Sequence, residues 1–361
     1  MSGNLAFAKG FSIPRRVLIK GGAGLAAALT IAPAGAATTG TRLRVTQNDT
    51  GIRTIGAALE RAAALPPPVR IEVDPGSYRE KLHIVSPGIT LVATGPGVEL
   101  VYGAAAGHIA PDGKPYGTGR TATLTIDAPD VTLVGLTVRN DFDYIADRAN
   151  VASGGSSGGA QAVALMITRT ADRVLVDRCR IEGYQDTLYV NARALLRRCR
   201  IVGGVDFIFG GAAALFQRCD IVTRYVPDAP EGGFVAAPST LATERFGLVF
   251  DRCHLTREAG VPDGSTWLGR PWRAGGNMAI LGTAAFLRCR LDAHIAAAGW
   301  TGMGFTDPGG VRQILTPQEA RLFEWRSSGP GAAPATATRR QLTDADAAAY
   351  TPQAILQGWV P

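Results

Sequence analysis

At 361 residues and 46% apolar content, the chain is long enough for one large domain or two ordinary ones, with ample material for a core. Its 45 glycines and 22 prolines favour a turn-rich β protein over a helical bundle. The formal charge of +7 falls to +3 once residues 1–36 are set aside, since these hold Lys9, Arg15, Arg16 and Lys20 and no acid. So mild an excess is no nucleic-acid footprint, which calls for a dense basic stripe.

In chain order, the first feature is "FSIPRRVLIKGGAGLAAALTIAPAGA". A twin arginine precedes an apolar run that ends in Ala34-Gly35-Ala36, a small-residue cleavage pattern. Residues 1–36 therefore read as a bacterial twin-arginine export signal, with residues 37–361 as the mature domain. The run is rich in Gly and Ala and broken by Pro33, so it is a poor permanent anchor, and the mature form is expected off the membrane, in the periplasm or outside the cell. Next, "TIGAALERAAAL" (54–65) has helical periodicity and good helix formers, and is placed to cap whatever follows. Short β runs separated by Gly, Asp and Asn turns fill the chain from about 69 to 292. Residues 327–338 read as an extended linker, and Thr343 with Asp346 as the start of a short C-terminal helix.

Within the β region a unit recurs. All five cysteines lie in Arg-Cys-x-Ile/Leu contexts, at Cys179, Cys199, Cys219, Cys253 and Cys289, with spacings of 20, 20, 34 and 36 residues. Alternation of polar and apolar residues gives each unit a strand's period, with Cys and Ile/Leu on the inner side. A strand recurring about every 20 residues points to a solenoid, whose coils share one core by stacking. The expected fold is all-β, a single-stranded right-handed parallel β-helix with short capping helices; a β-sandwich or propeller is the competing architecture. Longer intervals mark loops, notably 103–121 and 141–160. Equivalent positions on adjacent coils are about 4.8 Å apart, inside the Cα range of a disulfide, so a Cys199–Cys219 bridge is expected in an exported protein.

Several polar residues stand where such a coil prefers apolar ones: Gln161, Gln185-Asp186, Asp206 and Arg270. Asp206 lies among Val205, Phe207, Ile208 and Phe209, and burying it demands a cationic partner. Asp186 and Asp206 are separated by 20 residues, the coil interval, so both carboxylates are expected on the same side of adjacent coils.

The ordered segments "GSYRE" (76–80), "QAVAL" (161–165), "GYQDTLY" (183–189), "VDFIFG" (205–210) and "LGRPW" (268–272) resemble those of pectin methylesterases over residues 43–361. "APST" (237–240) and "RRQLTDADAAAYT" (339–351) are similar to the secreted bacterial branch. The resemblance implies a parallel β-helix and hydrolysis of methyl esters on the galacturonate units of pectin, with methyl-esterified homogalacturonan as partner. It implies Asp206 as nucleophile, Asp186 as general acid/base, Gln161 and Gln185 as oxyanion donors and Arg270 as the residue orienting Asp206. Trp272 matches a cleft aromatic, and Tyr189, Phe207, Trp300 and Met303 are further candidates for substrate contact. No metal and no cofactor is expected, and a monomer is. Arg270 is expected to lower the pKa of Asp206, and the ionised Asp206 to help Asp186 keep a proton.

Three rivals remain at this point. "GGSSG" (154–158) fits the serine nucleophile-elbow pattern, but no buried strand precedes it and no helix follows. A pectin-cleaving hydrolase or lyase would share fold and polymer, the first with two carboxylates about a glycosidic bond and the second with a calcium cluster. The third is a β-helical carbohydrate-binding protein without catalysis.

Overall fold

The computed structural model describes residues 40–48, 51–227, 232–359 and 361. The expected export signal and its cleavage point lie outside the described residues. No described helix is long and apolar enough to cross a membrane.

Three parallel sheets of ten, seven and eight strands run side by side, and each complete coil gives one strand to each. One coil comprises Leu165–Ile167, Val174–Asp177 and Arg180–Glu182; the next comprises Leu188–Val190, Ala194–Arg197 and Arg200–Gly203. The 20-residue interval is preserved in the register, with Leu175 facing Leu195 and Leu195 facing Leu215. This is the expected parallel β-helix. It extends past the expected limits, since Thr41–Val45 pairs with Val69–Val73 and Arg321–Trp325 pairs with Thr283–Leu287. Arg42 and Arg44 point outward beside the buried Leu43 and Val45, so the first strand is short and half charged, a weak strand signal.

The helix Ile55–Ala63 begins at Thr54, whose side chain accepts from Ala57 N, and it buries Ile55, Ala58 and Ala62 against the first coil. Glu80 completes this cap, accepting from Ile55 N at 2.9 Å and Gly56 N at 2.8 Å. The "GSYRE" segment is thus scaffold: it anchors a charge at a helix N-terminus. At the other end Thr343 caps the short helix Asp344–Ala347.

The Arg-Cys-x-Ile/Leu unit has the expected inner and outer sides but is not a strand. It is a corner. Arg178, Arg198, Arg218, Arg252 and Arg288 all adopt φ of +52 to +53°, left-handed backbone that costs a side-chain-bearing residue about 1–2 kcal/mol. Each Cys then turns inward and the following strand begins. Here the structure corrects one expectation: all five thiols, Cys199 and Cys219 included, are free. In a parallel in-register ladder the Cα–Cβ vectors are parallel, so sulfurs keep the strand spacing of about 4.8 Å, whereas a disulfide needs Cβ atoms near 3.8 Å. Cys199, Cys219, Cys253 and Cys289 instead donate to the coil before, for example Cys199 Sγ to Val176 O (3.3 Å) and Cys219 Sγ to Leu196 O (3.4 Å), while Cys179 donates to Asp177 O of its own coil. Burial pushes the Cys179 thiol up to about 12, as befits an inert core group.

Further along the core, Phe216, Phe250 and Phe286 stack at 4.6 and 4.3 Å between ring centres, and Trp300 closes the column at 5.6 Å from Phe286. Beneath the loop at 258–265 lies a fully buried His294, with no hydrogen-bond partner at either ring nitrogen among the described residues. Burial pushes its pKa down from 6.5 to about 4, against a partial offset from Asp292 and Asp263 and with Arg257 acting in the same sense as burial. The unfolded chain therefore binds this proton more tightly, so stability is complete above pH 6.5, declines as pH falls towards 4 and then levels, a penalty of about 3 kcal/mol. His294→Leu is expected to flatten this part of the acid limb in urea midpoints measured from pH 7 to 4; an unchanged slope would refute it.

Candidate active site

The seven-stranded sheet carries an open cleft of about 400 Å³, lined by Thr118, Gln161, Gln185, Asp186, Asp206, Phe209, Ala237, Arg270, Trp272, Met303, Gly304 and Arg312. All five polar candidates named from the sequence meet there. They do so because Asp186 and Asp206 occupy the same corner, between the eight- and seven-stranded sheets, on consecutive coils: Gln185 bridges to Val205, and Asp186 N donates to Val205 O at 3.0 Å. Both aspartates adopt left-handed backbone, at φ +60° and +48°. For a residue other than glycine this costs on the order of 1–3 kcal/mol, and such strain concentrates where side chains must be aimed.

Asp206 is 8% exposed and is gripped by both arms of Arg270, Nε to Oδ1 at 2.9 Å and Nη2 to Oδ2 at 2.6 Å. Arg270 in turn lies over the Phe234 ring, 3.8 Å from its centre. The fork fixes the carboxylate plane, and the ring fixes the guanidinium. Asp186 has no such cation, and its carboxyl makes no hydrogen bond among the described residues. Burial, then the Asp206 charge, push its pKa well above the carboxylate range, with Arg270 opposing only weakly. Burial also raises Asp206, outweighing the pull of Arg270. Arg270 pulls Asp206 downward as expected, but removal from water costs more than the ion pair returns, so the net shift is upward. The order within the pair stands: Asp206 has the cation and is the group that ionises first.

Gln161 and Gln185 are half-buried on the cleft floor, and neither side-chain amide is engaged by another described residue. Two unsatisfied N–H donors facing a cleft can receive an oxyanion. The arrangement offers a fixed carboxylate, a neighbouring carboxylic acid and neutral donors in one cleft.

One wall is aromatic. Phe209 lies between Trp272 (5.8 Å) and Tyr189 (4.9 Å), Met303 packs on the same cluster, and Tyr189 itself faces the adjoining cleft beyond Trp272. Met303 and Arg312 come from the antiparallel pair Met303–Thr306 and Arg312–Leu315. Two aromatic expectations are corrected. Phe207 is fully enclosed within the coil and Trp300 is 1% exposed at the end of the phenylalanine column, so neither reaches the cleft. Phe207 points inward because it directly follows the left-handed corner at Asp206, where the chain turns into the strand Ile208–Gly210. Sequence reasoning misses Phe209 and Phe234. Phe209 stands beside the core-facing Ile208 in the strand Ile208–Gly210, so alternation turns it to the cleft side, which is the signal that could have found it. The "GGSSG" segment is a loop after the helix Tyr144–Ala152, with Ser156 exposed, and has none of a nucleophile elbow's strand–turn–helix geometry.

The sequence profile of the family described as Pectinesterase matches residues 43–358. The chain belongs to the pectinesterase family. Pectinesterase A of Dickeya chrysanthemi is 38% identical over 324 residues, which cover 86% of this chain and 88% of that protein. The crystal structure of pectin methylesterase PemA from Erwinia chrysanthemi superposes with a TM-score of 0.84 at 38% identity, covering 90% of this chain and 99% of the other. A pectin methylesterase solved in complex with a hexasaccharide matches at 37% identity, again with a TM-score of 0.84 and coverages of 90% and 99%. The chain is accordingly a carboxylic ester hydrolase built on a parallel β-helix.

Proposed function

We propose that this esterase removes methyl groups from the galacturonate units of pectin, after export from a bacterial cell, by a two-carboxylate mechanism. The observation that carries the reading is the asymmetric pair, Asp206 held bidentately by Arg270 beside an Asp186 with no cation of its own.

In the first half-reaction an ionised Asp206 oxygen attacks the ester carbonyl carbon. The developing oxyanion takes N–H donors from Gln161 and Gln185. As the C–OCH₃ bond breaks, Asp186 gives its proton to the leaving oxygen, and methanol departs. What remains is an anhydride between Asp206 and the sugar carboxyl. In the second half-reaction Asp186, now ionised, takes a proton from water, and the hydroxide attacks the anhydride. The sugar leaves as its acid, Asp206 regains its charge and Asp186 its proton. Each carboxylate plays the part its surroundings favour. Trp272, Tyr189 and Met303 supply apolar cleft wall for the polymer.

The deciding experiment is methanol release from highly methylated pectin with chain length followed in parallel. Methanol without chain shortening is expected; shortened chains without methanol would replace the reading by backbone cleavage.

The pH dependence follows from the same pair. The active form carries one proton, on Asp186. Activity should fall on the acid side as Asp206 is protonated and on the basic side as Asp186 ionises, the apparent values belonging to the pair. Because burial raises both groups, both limbs should lie above the ordinary carboxylate range. Arg270→Gln removes the cation that favours ionised Asp206 and should move the acid limb upward. Profiles of kcat/KM against pH that leave this limb in place would count against the assignment.

A further inference from the structure

The recurring corner arginine has no part in the reaction above, yet it repeats with the coil. Arg178, Arg198, Arg218, Arg252 and Arg288 are joined by Arg326, at φ +50°, and all six side chains are exposed. The flanking registers align them: Asp177 faces Arg197, Arg197 faces Gln217, Gln217 faces Asp251, Asp251 faces Leu287 and Leu287 faces Trp325. The result is a straight file of arginines along one edge of the helix, their backbones about 4.8 Å from one to the next.

Charge along this edge is not balanced. Asp177 is shared by Arg178, Arg197 and Arg198. Asp251 is shared by Arg252 and Arg288, and Arg326 pairs with Asp344. Arg218 makes no ion pair among the described residues. Seven arginines thus stand against three carboxylates, of which Asp177 and Asp251 lie buried beneath them. Arg200 and Arg290 add charge one row over, against Asp220. The modest net charge of the chain is an average that hides this concentration.

The file is unfavourable to the isolated fold in two ways. Left-handed corners suit Gly or Asn better than Arg. Like charges on neighbouring coils repel. Both features are accounted for by an anionic partner that also repeats along a line.

We propose that this ridge binds a linear polyuronate, the de-esterified stretch of the polymer that the enzyme itself produces. The inference rests on the proposed function for its choice of polymer. Each turnover exposes a carboxylate, each carboxylate matches a guanidinium fork, and the polymer offers one per ring. The ridge stands at the corner between the ten- and eight-stranded sheets, while the catalytic pair stands at the corner between the eight- and seven-stranded sheets. The whole eight-stranded sheet separates them, so a product segment on the ridge leaves the cleft open for a methylated segment. Retention on the ridge raises the local concentration of substrate chain.

The test is a triple variant, Arg198→Asn, Arg218→Asn and Arg252→Asn, since Asn suits the left-handed corner and leaves Asp177 and Asp251 with remaining partners. A second variant, with Lys at the same positions, keeps the charge. Binding to fully de-esterified polygalacturonate is measured at several salt concentrations. The Asn variant is expected to bind at least tenfold more weakly at low salt, with a shallower dependence on salt, while the Lys variant keeps most of the affinity. KM for long pectin should rise severalfold with kcat unchanged, and kcat/KM for a short methylated oligogalacturonide should stay put. Unchanged polygalacturonate binding by the Asn variant would overturn the ridge, as would equal binding of fully methylated pectin by wild type. Tighter binding of duplex DNA than of polygalacturonate at the same salt would overturn the polyuronate as occupant. Wild-type methanol release, run alongside, separates the two readings: its absence overturns the reaction, whereas methanol release with unaltered binding overturns the ridge alone.

Discussion

Asp206→Asn is expected to lower kcat for methanol release by about four orders of magnitude or more while leaving KM within a few-fold of wild type. The amide is isosteric, so one oxygen can still accept from Arg270 and the cleft keeps its shape. The nucleophilic oxygen anion is gone, and loss of a nucleophile alone removes nearly all chemical catalysis. Asp186→Asn should lose less, about 10²–10⁴-fold, the usual size of a general acid–base contribution. Methanol release under saturating substrate, on variants whose folding is verified by thermal melts, decides the matter. Equal and small losses at the two positions would reduce both residues to structural acids.

Stability should move the opposite way at Asp186. Its side chain makes no hydrogen bond among the described residues, it faces a second carboxylate, and its backbone is left-handed at φ +60°. Asn tolerates that backbone better and adds no charge. Asp186→Asn is therefore expected to stabilise the fold by about 1–2 kcal/mol while disabling it, the trade seen where an active site holds strain for its function. A residue retained for structure would not behave this way.

The 20-residue spacing makes the carboxylate pair legible in the sequence itself. In a solenoid, sequence separation converts directly into position, so Asp186 and Asp206 have to share a corner. The same logic misleads at Cys199 and Cys219. Stacking brings equivalent residues near each other but holds their side chains parallel, which suits a ladder and not a bridge. Phe207 and Trp300 mislead because an aromatic near a polar residue can still serve the core: Phe207 turns inward at the corner after Asp206, and Trp300 packs on Phe286. Phe234 is out of reach, because its contact with Arg270 joins neighbouring coils through loops of unequal length. The sign of the pKa shift at Asp206 is also hidden, since sequence reveals a partner but not the depth of burial.

The buried pair at the C-terminal end should dominate stability. Arg339 and Glu324 are 0% and 1% exposed at their side chains, with Nε to Oε1 at 2.6 Å and Nη2 to Oε2 at 3.1 Å. The remaining donors reach Ala296 O, Ala297 O and Gly331 O at 3.2, 3.1 and 3.0 Å. Glu324 sits on the last strand and Arg339 on the returning tail, so the pair fastens that tail across the open end of the β-helix. Glu324→Leu leaves the guanidinium buried without its counter-charge and should cost about 3–5 kcal/mol. For a chain of this size that corresponds to a fall in Tm on the order of 10 °C. Arg339→Met should cost a similar amount by stranding the carboxylate. The combined Glu324→Leu/Arg339→Met variant removes both charges and is expected to be more stable than either single one, a coupling that thermal melts of the four proteins measure directly. Additive losses would mean that the two side chains act through packing and not as a pair. Catalysis per folded molecule should be unaffected in all three variants, because the pair touches none of the cleft residues.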